Sequence, residues 1–559
     1  MQIRLTTVYF TLLSLNAAAG AQLRLPAIFS DHMVLQAGVP VPVWGMATPG
    51  TPVAVAFGSQ TLHTTADNAG YWQVRLAQLT ASDQPAEMTV LEEPASAPPS
   101  SMTIHDVLVG EVWIAGGQSN MAFGLNSMEG REPIIAAASN PQLRLFDVKH
   151  NAAPEPLGLH PGQIPGDVLG KWEVSDPKSA AAFSAVAYLC GSELQRTLHR
   201  PVGMISSNWG GTPIQTWISR EGFASEPAFA KYLDDYARNL TLHKQLAADP
   251  ANDTKYKEDW RLWRKEVGDK LDANMKIWNA VQAAGKDPGP KPKASRPEPQ
   301  NPDPTGIPLG GFRPNAPAIS WNAMFAPVVP FAMHGALWYQ GEANVSHYKE
   351  YGPLLSTMVQ DWRRAFANSS MDFLVVQLPA NGPNDNKREL AHQREAQATI
   401  LSLPHTGLAI TFDVGDPGNV HPASKIDVGH RLALIALGEA YGQKIPYTGP
   451  VFQSAKPQGN SMRVTFTNIA GKLTIAQTPW LSVHTVPFPT DKLIGFEIAG
   501  DDKVFHAADA TIESPSVILT APGVAKPHYV RYAFDESPRA NLYDSAGLPT
   551  APFRNDTDK

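Results

Sequence analysis

Five continuous apolar runs constrain the fold of this chain more than any other feature. They are Asp106–Ala115, Val202–Trp209, Met333–Tyr339, Phe373–Leu378 and Gly407–Val414. A run of this kind is typical of a strand that is buried on both faces of a parallel sheet. Helical patterns such as Ala181–Leu198 lie between several of the runs, and strands that alternate with helices favour βαβ units. We therefore expect an α/β domain built on a parallel sheet.

The regions around this domain have different patterns. Short segments of alternating apolar and polar residues, separated by Gly and Pro, fill residues 22–105 and predict a β-sandwich-like module. Similar segments return at 446–559 and predict a C-terminal β module. Residues 220–315 interrupt the α/β rhythm with amphipathic helical patterns and a Pro-rich stretch, so we interpret them as an insertion. The two halves of the α/β domain are then 106–219 and 316–445.

The composition excludes several classes of protein. Of the 559 residues, 43% are hydrophobic and 17% are charged, which excludes a disordered or coiled-coil chain. The net charge of −7, without a long basic block, argues against nucleic acid as a partner. Cys190 is the single cysteine, so the chain has no intramolecular disulfide framework and no cysteine-based zinc site. We expect no membrane span, because no apolar run of about 18 residues follows the N-terminal segment.

The first 21 residues have the pattern of a secretory signal peptide. Arg4 supplies a short positive region, and Leu5–Leu15 is largely apolar. Ala19-Gly20-Ala21 then fits the cleavage pattern of two small residues around any third. We therefore expect residues 1–21 to be removed and the mature protein to be secreted or periplasmic.

Candidate catalytic residues follow the first two strands. In an open α/β sheet the active site lies outside the carboxyl ends of the strands. Gly116-Gly117-Gln118-Ser119 follows the first run, and a serine on such a tight turn is exposed with its N–H free to donate to an oxyanion. After the second run, Gly210 and Gly211 let backbone N–H groups approach a ligand closely.

Two further strand ends carry polar side chains. The third holds Gln340, Glu342 and Asn344, and the amide groups there can donate to a developing negative charge. The fourth is DVGDPGNVHP, which ends in His421 and Pro422. Since proline suits the first position of a helix, we expect His421 at or beside a helix N-cap. A histidine base oriented by a carboxylate is what a serine nucleophile requires.

In their order along the chain, these segments resemble the SGNH hydrolase superfamily. Within it they are similar to the sialate O-acetylesterase-like carbohydrate esterases, which include acetylesterases of plant polysaccharides such as xyloglucan. The similar blocks are GQSNM, GGTPIQTW, WYQGEAN and DVGDPGNVHPASK, within roughly 106–445, together with LRLPAIFSDHMVLQ near the N-terminus. The resemblance implies an SGNH-hydrolase-like three-layer α/β/α domain.

The resemblance also implies a mechanism. Ser119 would be the nucleophile, His421 the general base and acid, and the reaction would pass through an acyl-enzyme with no metal and no organic cofactor. The backbone N–H groups of Ser119 and Gly210 would line the oxyanion hole, which a side-chain amide completes.

The chain departs from the superfamily in the position of the acid. The aspartate commonly lies three residues before the histidine, where this sequence has Gly418. Asp416 is our first candidate for the residue that orients the histidine, and Asp413 is the second. A dyad of Ser119 and His421 without a carboxylate stays open. As ligands of a metal, Asp413, Asp416 and His421 lack a supporting pattern of further histidines or carboxylates.

A second departure concerns the third block, which in the superfamily is usually Gly-x-Asn-Asp. Here Gln340 and Asn344 bracket Gly341-Glu342, and either amide is a candidate for the oxyanion donor. Glu342 is a candidate for an acid that orients the site. Together with Asp413 and Gly211 it is also a candidate for contacting the substrate.

The sequence therefore predicts a secreted serine esterase that removes O-acetyl groups from carbohydrates. The many tryptophans and the large insertion favour an acetylated plant polysaccharide such as xyloglucan, with acetylated sialic acid as the alternative. A non-catalytic carbohydrate-binding protein on a hydrolase fold is a further alternative. The presence of both Ser119 and His421 argues against it. A lipase for long acyl chains is a weaker alternative, since no broad apolar lid stretch is evident.

Overall fold

The computed structural model describes residues 23–95, 98–283, 289–290, 292–299, 315–384, 387–476 and 491–556. The predicted signal peptide lies outside the described residues, as does part of the Pro-rich stretch. Across the described residues, no helix is both long and apolar enough to span a membrane. The strands of the N-terminal region are β1 (Val34–Gln36), β2 (Val41–Met46), β3 (Pro52–Phe57), β4 (Gln60–Thr65), β5 (Tyr71–Leu76), β6 (Ser82–Glu92) and β7 (Ser100–Gly117).

The α/β domain contains the strands that follow β7. They are β8 (Asn140–Asp147), the short strands β9 (Leu157–Gly158) and β10 (Ile164–Pro165), β11 (Trp172–Ser175), β12 (Val202–Asn208), β13 (Gly335–Tyr339), β14 (Asp372–Val376) and β15 (Thr406–Ala409). The main sheet has the order β11-β8-β12-β7-β13-β14-β15. Its strands run parallel except for β11, which pairs antiparallel with β8 at one edge. The predicted parallel sheet is confirmed, and each of the five apolar runs contributes one strand.

The helices surround this sheet and form the insertion. They are α1 (Ser119–Ala122), α2 (Arg131–Ala136), α3 (Pro177–Ala182), α4 (Ala185–Leu198), α5 (Arg220–Ala224), α6 (Ala230–Ala247), α7 (Pro250–Trp263), α8 (Asp269–Ala283), α9 (Tyr348–Ala365), α10 (Glu389–Ala398) and α11 (Ile426–Ile435). The predicted helix Ala181–Leu198 is broken before α4, where the Ser184 hydroxyl accepts the N–H of Ala187 and caps the new helix.

Alternate residues of the central strands pack on opposite faces of the sheet, as the two-residue period of a strand requires. Ile114 and Trp338 face a core shared with α9 and the N-terminal region. Trp113 and Leu337 face a second core shared with α4 and α11. The sheet is therefore covered on both faces.

Strand β7 joins the N-terminal region to the α/β domain. Its first part pairs antiparallel with β6, and Leu108–Gly110 pairs with β1. Its last part pairs in parallel with β12 and β13. The predicted boundary between residues 105 and 106 therefore lies inside one continuous strand of 18 residues.

The insertion and the C-terminal region have the predicted types of structure. Over 220–283 the chain is helical, with a π-helical turn at Arg264–Gly268 that separates α7 from α8. The C-terminal region is built of β16 (Val451–Gln458), β17 (Ser461–Thr467), β18 (Leu473–Ile475), β19 (Phe496–Ala499), β20 (His506–Ala507), β21 (Asp509–Glu513), β22 (Ser516–Thr520), β23 (Tyr529–Tyr532), β24 (Leu542–Asp544) and β25 (Phe553–Arg554). These strands enclose a separate apolar core, to which Phe412 of the α/β domain also contributes.

Candidate active site

Ser119 lies at the carboxyl end of the central strand β7. The strand ends at Gly117, where φ is +139° and an added Cβ would lie 2.1 Å from the carbonyl oxygen of Tyr339, so only glycine fits there. The N–H of Gln118 donates to the same carbonyl at 3.0 Å. Ser119 then begins the short helix α1 and is half-buried. The close approach of β7 and β13 thus places the serine at the mouth of the sheet.

The structure brings Ser119 and His421 together, although 302 positions separate them in the sequence. The distance from His421 Nε2 to Ser119 Oγ is 2.7 Å. His421 lies in the loop between a 3₁₀ turn at Phe412–Val414 and helix α11, and its N–H donates to Asn419 Oδ1 at 3.0 Å. An imidazole nitrogen at this distance can take the hydroxyl proton as the serine attacks.

The prediction that Pro422 begins a helix is wrong. Helix α11 begins at Ile426, so His421 lies in a loop and not at an N-cap. Contacts with Asn120 hold this loop, and the first is a hydrogen bond from Asn120 Nδ2 to the carbonyl of Val420 at 2.9 Å. Lys425 is fully buried and its Nζ donates to Asn120 Oδ1 at 2.6 Å. These tertiary contacts outweigh the local preference of proline for the first turn of a helix.

Two backbone N–H groups beside the serine are available to bind an oxyanion. A Cβ added at Gly210 would lie 3.2 Å from Ser119 Cβ, so the loop after β12 packs directly against the nucleophile. Within the described part of the chain, neither the N–H of Ser119 nor that of Gly210 donates to a protein acceptor. The arrangement fits the oxyanion hole that the sequence predicts.

Gln340 and Asn344 differ in what they can donate. Both hydrogens of Gln340 Nε2 are used, by Thr212 O at 3.2 Å and by Asn344 Oδ1 at 2.8 Å. Asn344 Nδ2 donates one hydrogen to Gln215 Oε1 at 3.2 Å, and no acceptor within the described residues takes the other. Asn344 is therefore the amide with a free N–H, and Gln340 acts by holding it in place.

A buried polar cluster lies directly beneath the catalytic pair. It consists of Asn120, Glu342 and Lys425, and Asn120 joins the other two. Its Nδ2 donates to Glu342 Oε1 at 2.5 Å, while its Oδ1 accepts from Lys425 Nζ. Glu342 Oε2 is buried without a hydrogen-bond partner among the described residues. Since its carboxyl group points inward, Glu342 holds Asn120 and does not reach toward a substrate.

Burial shifts the ionisation of this cluster toward neutral groups. Desolvation raises the pKa of Glu342, against the hydrogen bond from Asn120. Desolvation also lowers the pKa of Lys425 to about 7, although the nearby Glu342 carboxylate opposes this shift. The cluster connects the residue after the nucleophile to the loop that carries the histidine, so it fixes the relative position of Ser119 and His421.

The two aspartates proposed to orient His421 have different surroundings. Both oxygens of Asp413 are bound to Arg431 at 2.6 Å, and the Tyr543 hydroxyl donates to one of them at 2.6 Å. Asp413 thus ties helix α11 to the C-terminal strand β24. Asp416 lies in the same loop as His421, and its Oδ1 accepts the N–H of Gly418 at 2.8 Å. The orienting role of Asp416 stays a prediction.

Comparison with known proteins agrees with this geometry. A sequence profile of the family described as carbohydrate esterase, sialic acid-specific acetylesterase, matches residues 322–437. Sialate O-acetylesterase of Mus musculus is 24% identical over 474 residues, which cover 78% of this chain and 77% of that protein. The human protein of the same name is 24% identical over 470 residues, with coverage of 78% and 75%.

A solved structure gives a more extensive match. A novel carbohydrate acetylesterase from Xanthomonas citri matches 96% of this chain and 100% of its own, at 29% identity and a TM-score of 0.72. The chain is a sialate O-acetylesterase-like carbohydrate esterase. As a carbohydrate acetylesterase it acts on carboxylic ester bonds. The profile match contains Gln340, Asn344 and His421 of the esterase, whereas Ser119 and Gly210 precede it.

The structure adds site residues of the esterase that sequence reasoning did not select. Asn120 and Lys425 lie inside the blocks GQSNM and HPASK, next to the residues that were selected. Each is a polar residue in a segment that is otherwise buried, and that contrast is the signal by which they could have been found. Among the described residues, no group of three His, Cys, Asp or Glu side chains could hold a metal ion.

Proposed function

We propose that this esterase removes acetyl groups through a covalent acyl-enzyme on Ser119. The observation that supports the proposal is the 2.7 Å contact between Ser119 Oγ and His421 Nε2. Beside it lie the N–H groups of Ser119 and Gly210, which have no acceptor among the described residues. A nucleophile, a base and oxyanion donors are the three parts that acyl transfer requires.

In the first half of the reaction, Ser119 Oγ attacks the carbonyl carbon of the acetyl ester while His421 Nε2 takes the hydroxyl proton. The carbonyl oxygen becomes an oxyanion that accepts hydrogen bonds from the N–H groups of Ser119 and Gly210 and from Asn344 Nδ2. The bond from the carbonyl carbon to the sugar oxygen then breaks, and His421 returns the proton to that oxygen. The free sugar hydroxyl leaves, and Ser119 carries the acetyl group.

In the second half, a water molecule replaces the sugar. His421 takes a proton from the water as its oxygen attacks the acetyl carbon, and the same donors hold the second oxyanion. The bond to Ser119 Oγ breaks, His421 returns the proton to the serine, and acetate leaves. The resting enzyme is restored, and no step requires a redox change.

The substrate we propose is an acetylated neutral plant polysaccharide such as xyloglucan. The helical insertion, which extends the surface beside the catalytic residues, supports this choice. The alternative is an O-acetylated sialic acid, which the names of the mouse and human relatives favour. Acetate release measured on both substrates separates the two: a higher kcat/KM on the sialate would overturn our substrate.

The chemistry is tested by replacing the nucleophile. Ser119→Ala should lower kcat on 4-nitrophenyl acetate by about 10⁴-fold or more and leave the melting temperature unchanged. A serine-directed phosphonate should label Ser119, and the matched control variants Ser206→Ala and Ser207→Ala should still be labelled. A protein that binds acetylated glycans yet releases no acetate would instead be the non-catalytic binding protein.

We also propose that Asp416 orients His421. Asp416→Asn should lower kcat strongly while the fold is kept, because the histidine would lose the carboxylate that fixes its tautomer. Asp427→Asn, at a half-buried position in the first turn of α11, serves as the matched control. If Asp416→Asn retains wild-type kcat, a Ser119–His421 dyad describes the site better.

A further proposal concerns location. The charged start, apolar stretch and small-residue cleavage pattern of residues 1–21 support export from the cell. N-terminal sequencing of the mature protein should begin at Gln22, and cell fractionation should recover it outside the cytoplasm. A cytoplasmic protein that keeps its first residues would overturn this proposal.

A further inference from the structure

A cavity of about 470 Å³ opens beside the proposed oxyanion hole. One wall is the loop after β12, with Gly211 and Gln215, and a second wall contains Asn344. Gly211 directly follows Gly210, which packs against Ser119. The volume lies within the range of about 300–1,000 Å³ that is typical of small-molecule sites. A group bound in this cavity would therefore be a close neighbour of the acetyl ester under attack.

The insertion supplies the third wall of the cavity. Lys231, Tyr232 and Asp235 of helix α6 line it, facing Glu350 at the start of α9. The Tyr232 hydroxyl donates to Glu350 Oε2 at 2.9 Å, and Lys231 forms a close ion pair with the same carboxylate. The insertion is thus joined to the α/β domain at the cavity.

The charges on the walls define what the cavity can hold. Lys231 is its one ammonium group among the lining residues, and Glu350 already pairs with it. Asp235 adds a second carboxylate, whose partner Arg238 does not line the cavity. Negative charge therefore exceeds the charge of lysine and arginine in the lining, which also contains the ring of His347. A carboxylate ligand would be repelled by this excess.

Hydroxyl groups suit the same walls. Each hydroxyl can donate to a carboxylate or an amide oxygen and accept from an N–H group, and Asp235, Gln215 and Asn315 offer both kinds of partner. Tyr232 adds a half-buried ring, which stacks on Phe223 and is thereby held at the cavity wall. We infer that this cavity is a glycan subsite that holds an uncharged pyranose residue adjacent to the acetylated one. The inference rests on the proposed function, and it assigns to the insertion the selection of neutral glycan chains over sialate.

The test uses two neighbouring residues of α6. Asp235→Asn removes a carboxylate from the cavity, whereas Asp234→Asn makes the same change at an exposed position outside it. Asp235→Asn should lower kcat/KM on acetylated xyloglucan oligosaccharides by about tenfold, mainly through KM, because a hydrogen bond to a charged group is lost. Asp234→Asn should have no effect, and neither variant should change turnover of 4-nitrophenyl acetate.

A binding measurement without turnover completes the test. In the Ser119→Ala background, calorimetry should show weaker binding of the acetylated oligosaccharide with Asp235→Asn than with Asp234→Asn. Equal effects of the two variants, in an enzyme that deacetylates the neutral oligosaccharide, would overturn the subsite alone. A wild-type protein inactive on 4-nitrophenyl acetate would overturn the proposed chemistry, and one that prefers the sialate ester would overturn both the substrate and the subsite.

Discussion

The amino and carboxyl ends of the parallel sheet both hold buried charged residues close to β7 and β13, and the pairing of these residues differs between the two ends. At the amino end, Glu111 of β7 accepts a hydrogen bond from His334 Nδ1 at 3.0 Å, and His334 Nε2 lies 3.3 Å from Asp372 Oδ2. At the carboxyl end, Asn120 separates Glu342 from Lys425. Opposite charges are in contact at one end and are held apart by an amide at the other.

The pKa values differ in the same sense. Burial alone would raise the pKa of Glu111, but hydrogen bonds from His334 and Gln36 outweigh it and lower the pKa to about 2. Burial likewise opposes protonation of His334, yet its two carboxylate neighbours raise its pKa to about 9. Glu342 and Lys425 shift the other way, toward neutral forms. At the amino end the pKa shifts favour the charged forms of Glu111 and His334, whose contact stabilises the sheet. At the carboxyl end, where the chemistry takes place, the pKa shifts favour the neutral forms of Glu342 and Lys425.

The largest effect is expected from breaking the ion network at the amino end. Glu111→Gln leaves His334 and Arg200 without their shared carboxylate, and the loss of one partner of a buried ion pair costs about 3–5 kcal/mol. The free energy of unfolding in denaturant should fall by that amount, while kcat of the folded protein stays unchanged. The matched control is Glu87→Gln, which breaks the exposed pair with His105 and should cost less than about 1 kcal/mol.

The next effect is on rate and not on stability. Asn344→Ala should lower kcat by about 10²–10³-fold, equivalent to about 2.7–4 kcal/mol, with little change in KM, because an oxyanion donor is lost. Gln340→Ala should cost less, since both of its N–H hydrogens already bind protein acceptors. Steady-state kinetics on 4-nitrophenyl acetate measures both, and the reverse ranking would make Gln340 the donor.

The buried polar cluster of Asn120, Glu342 and Lys425 should affect the rate by fixing the relative position of Ser119 and His421. Asn120→Ala releases the carbonyl of Val420 and removes the amide that bridges Glu342 and Lys425. A displacement of about 1 Å at the catalytic pair costs on the order of 10² in rate. We expect that loss in kcat with a retained fold. Asn126→Ala, at an exposed position close by, is the control. Equal kcat in the two variants would show that the cluster serves stability alone, like the network at the amino end.

The last effect is a pH dependence of stability, which is the smallest of the four when it is taken over one pH unit. The pKa of His334 is about 9 in the folded state, above its ordinary value of 6.5, so the folded protein holds a proton that the unfolded chain releases between these values. Its contribution is complete below about pH 6.5 and is lost as the pH rises through 9, with a slope of about 1.4 kcal/mol per pH unit. Denaturant unfolding of His334→Gln should lack this slope, and a persistent slope would assign it to another group.

The sequence predicts the parts of this molecule that follow from local pattern. The buried strands are apolar throughout, and the catalytic candidates lie at their carboxyl ends. Both the strands and the candidates could therefore be predicted from the sequence. Strand β11 has only four residues, and β8 begins with Asn140 and other polar residues, so neither matches the pattern of a buried strand. The loop after Pro422 escapes prediction because the partner that holds Lys425 is 305 positions away.

The choice between Gln340 and Asn344 was beyond the sequence for a similar reason. Both are amides in the same block, and their difference lies in which acceptors surround them. Those acceptors come from the loop after β12 and are visible only in the folded chain. A local pattern identifies the chemical types in a site, whereas long-range contacts assign the role of each.

The continuity of strand β7 limits the exchange of the N-terminal region by recombination during evolution. Ser119 stands two residues beyond a strand whose first residues are hydrogen-bonded to the N-terminal strand β6. A recombination event at residue 105 would divide that strand and take from β1 its partner residues Leu108–Gly110. The N-terminal region therefore cannot be exchanged as a cassette in the way that modules on linkers are exchanged. It has to pass from ancestor to descendant together with the nucleophile.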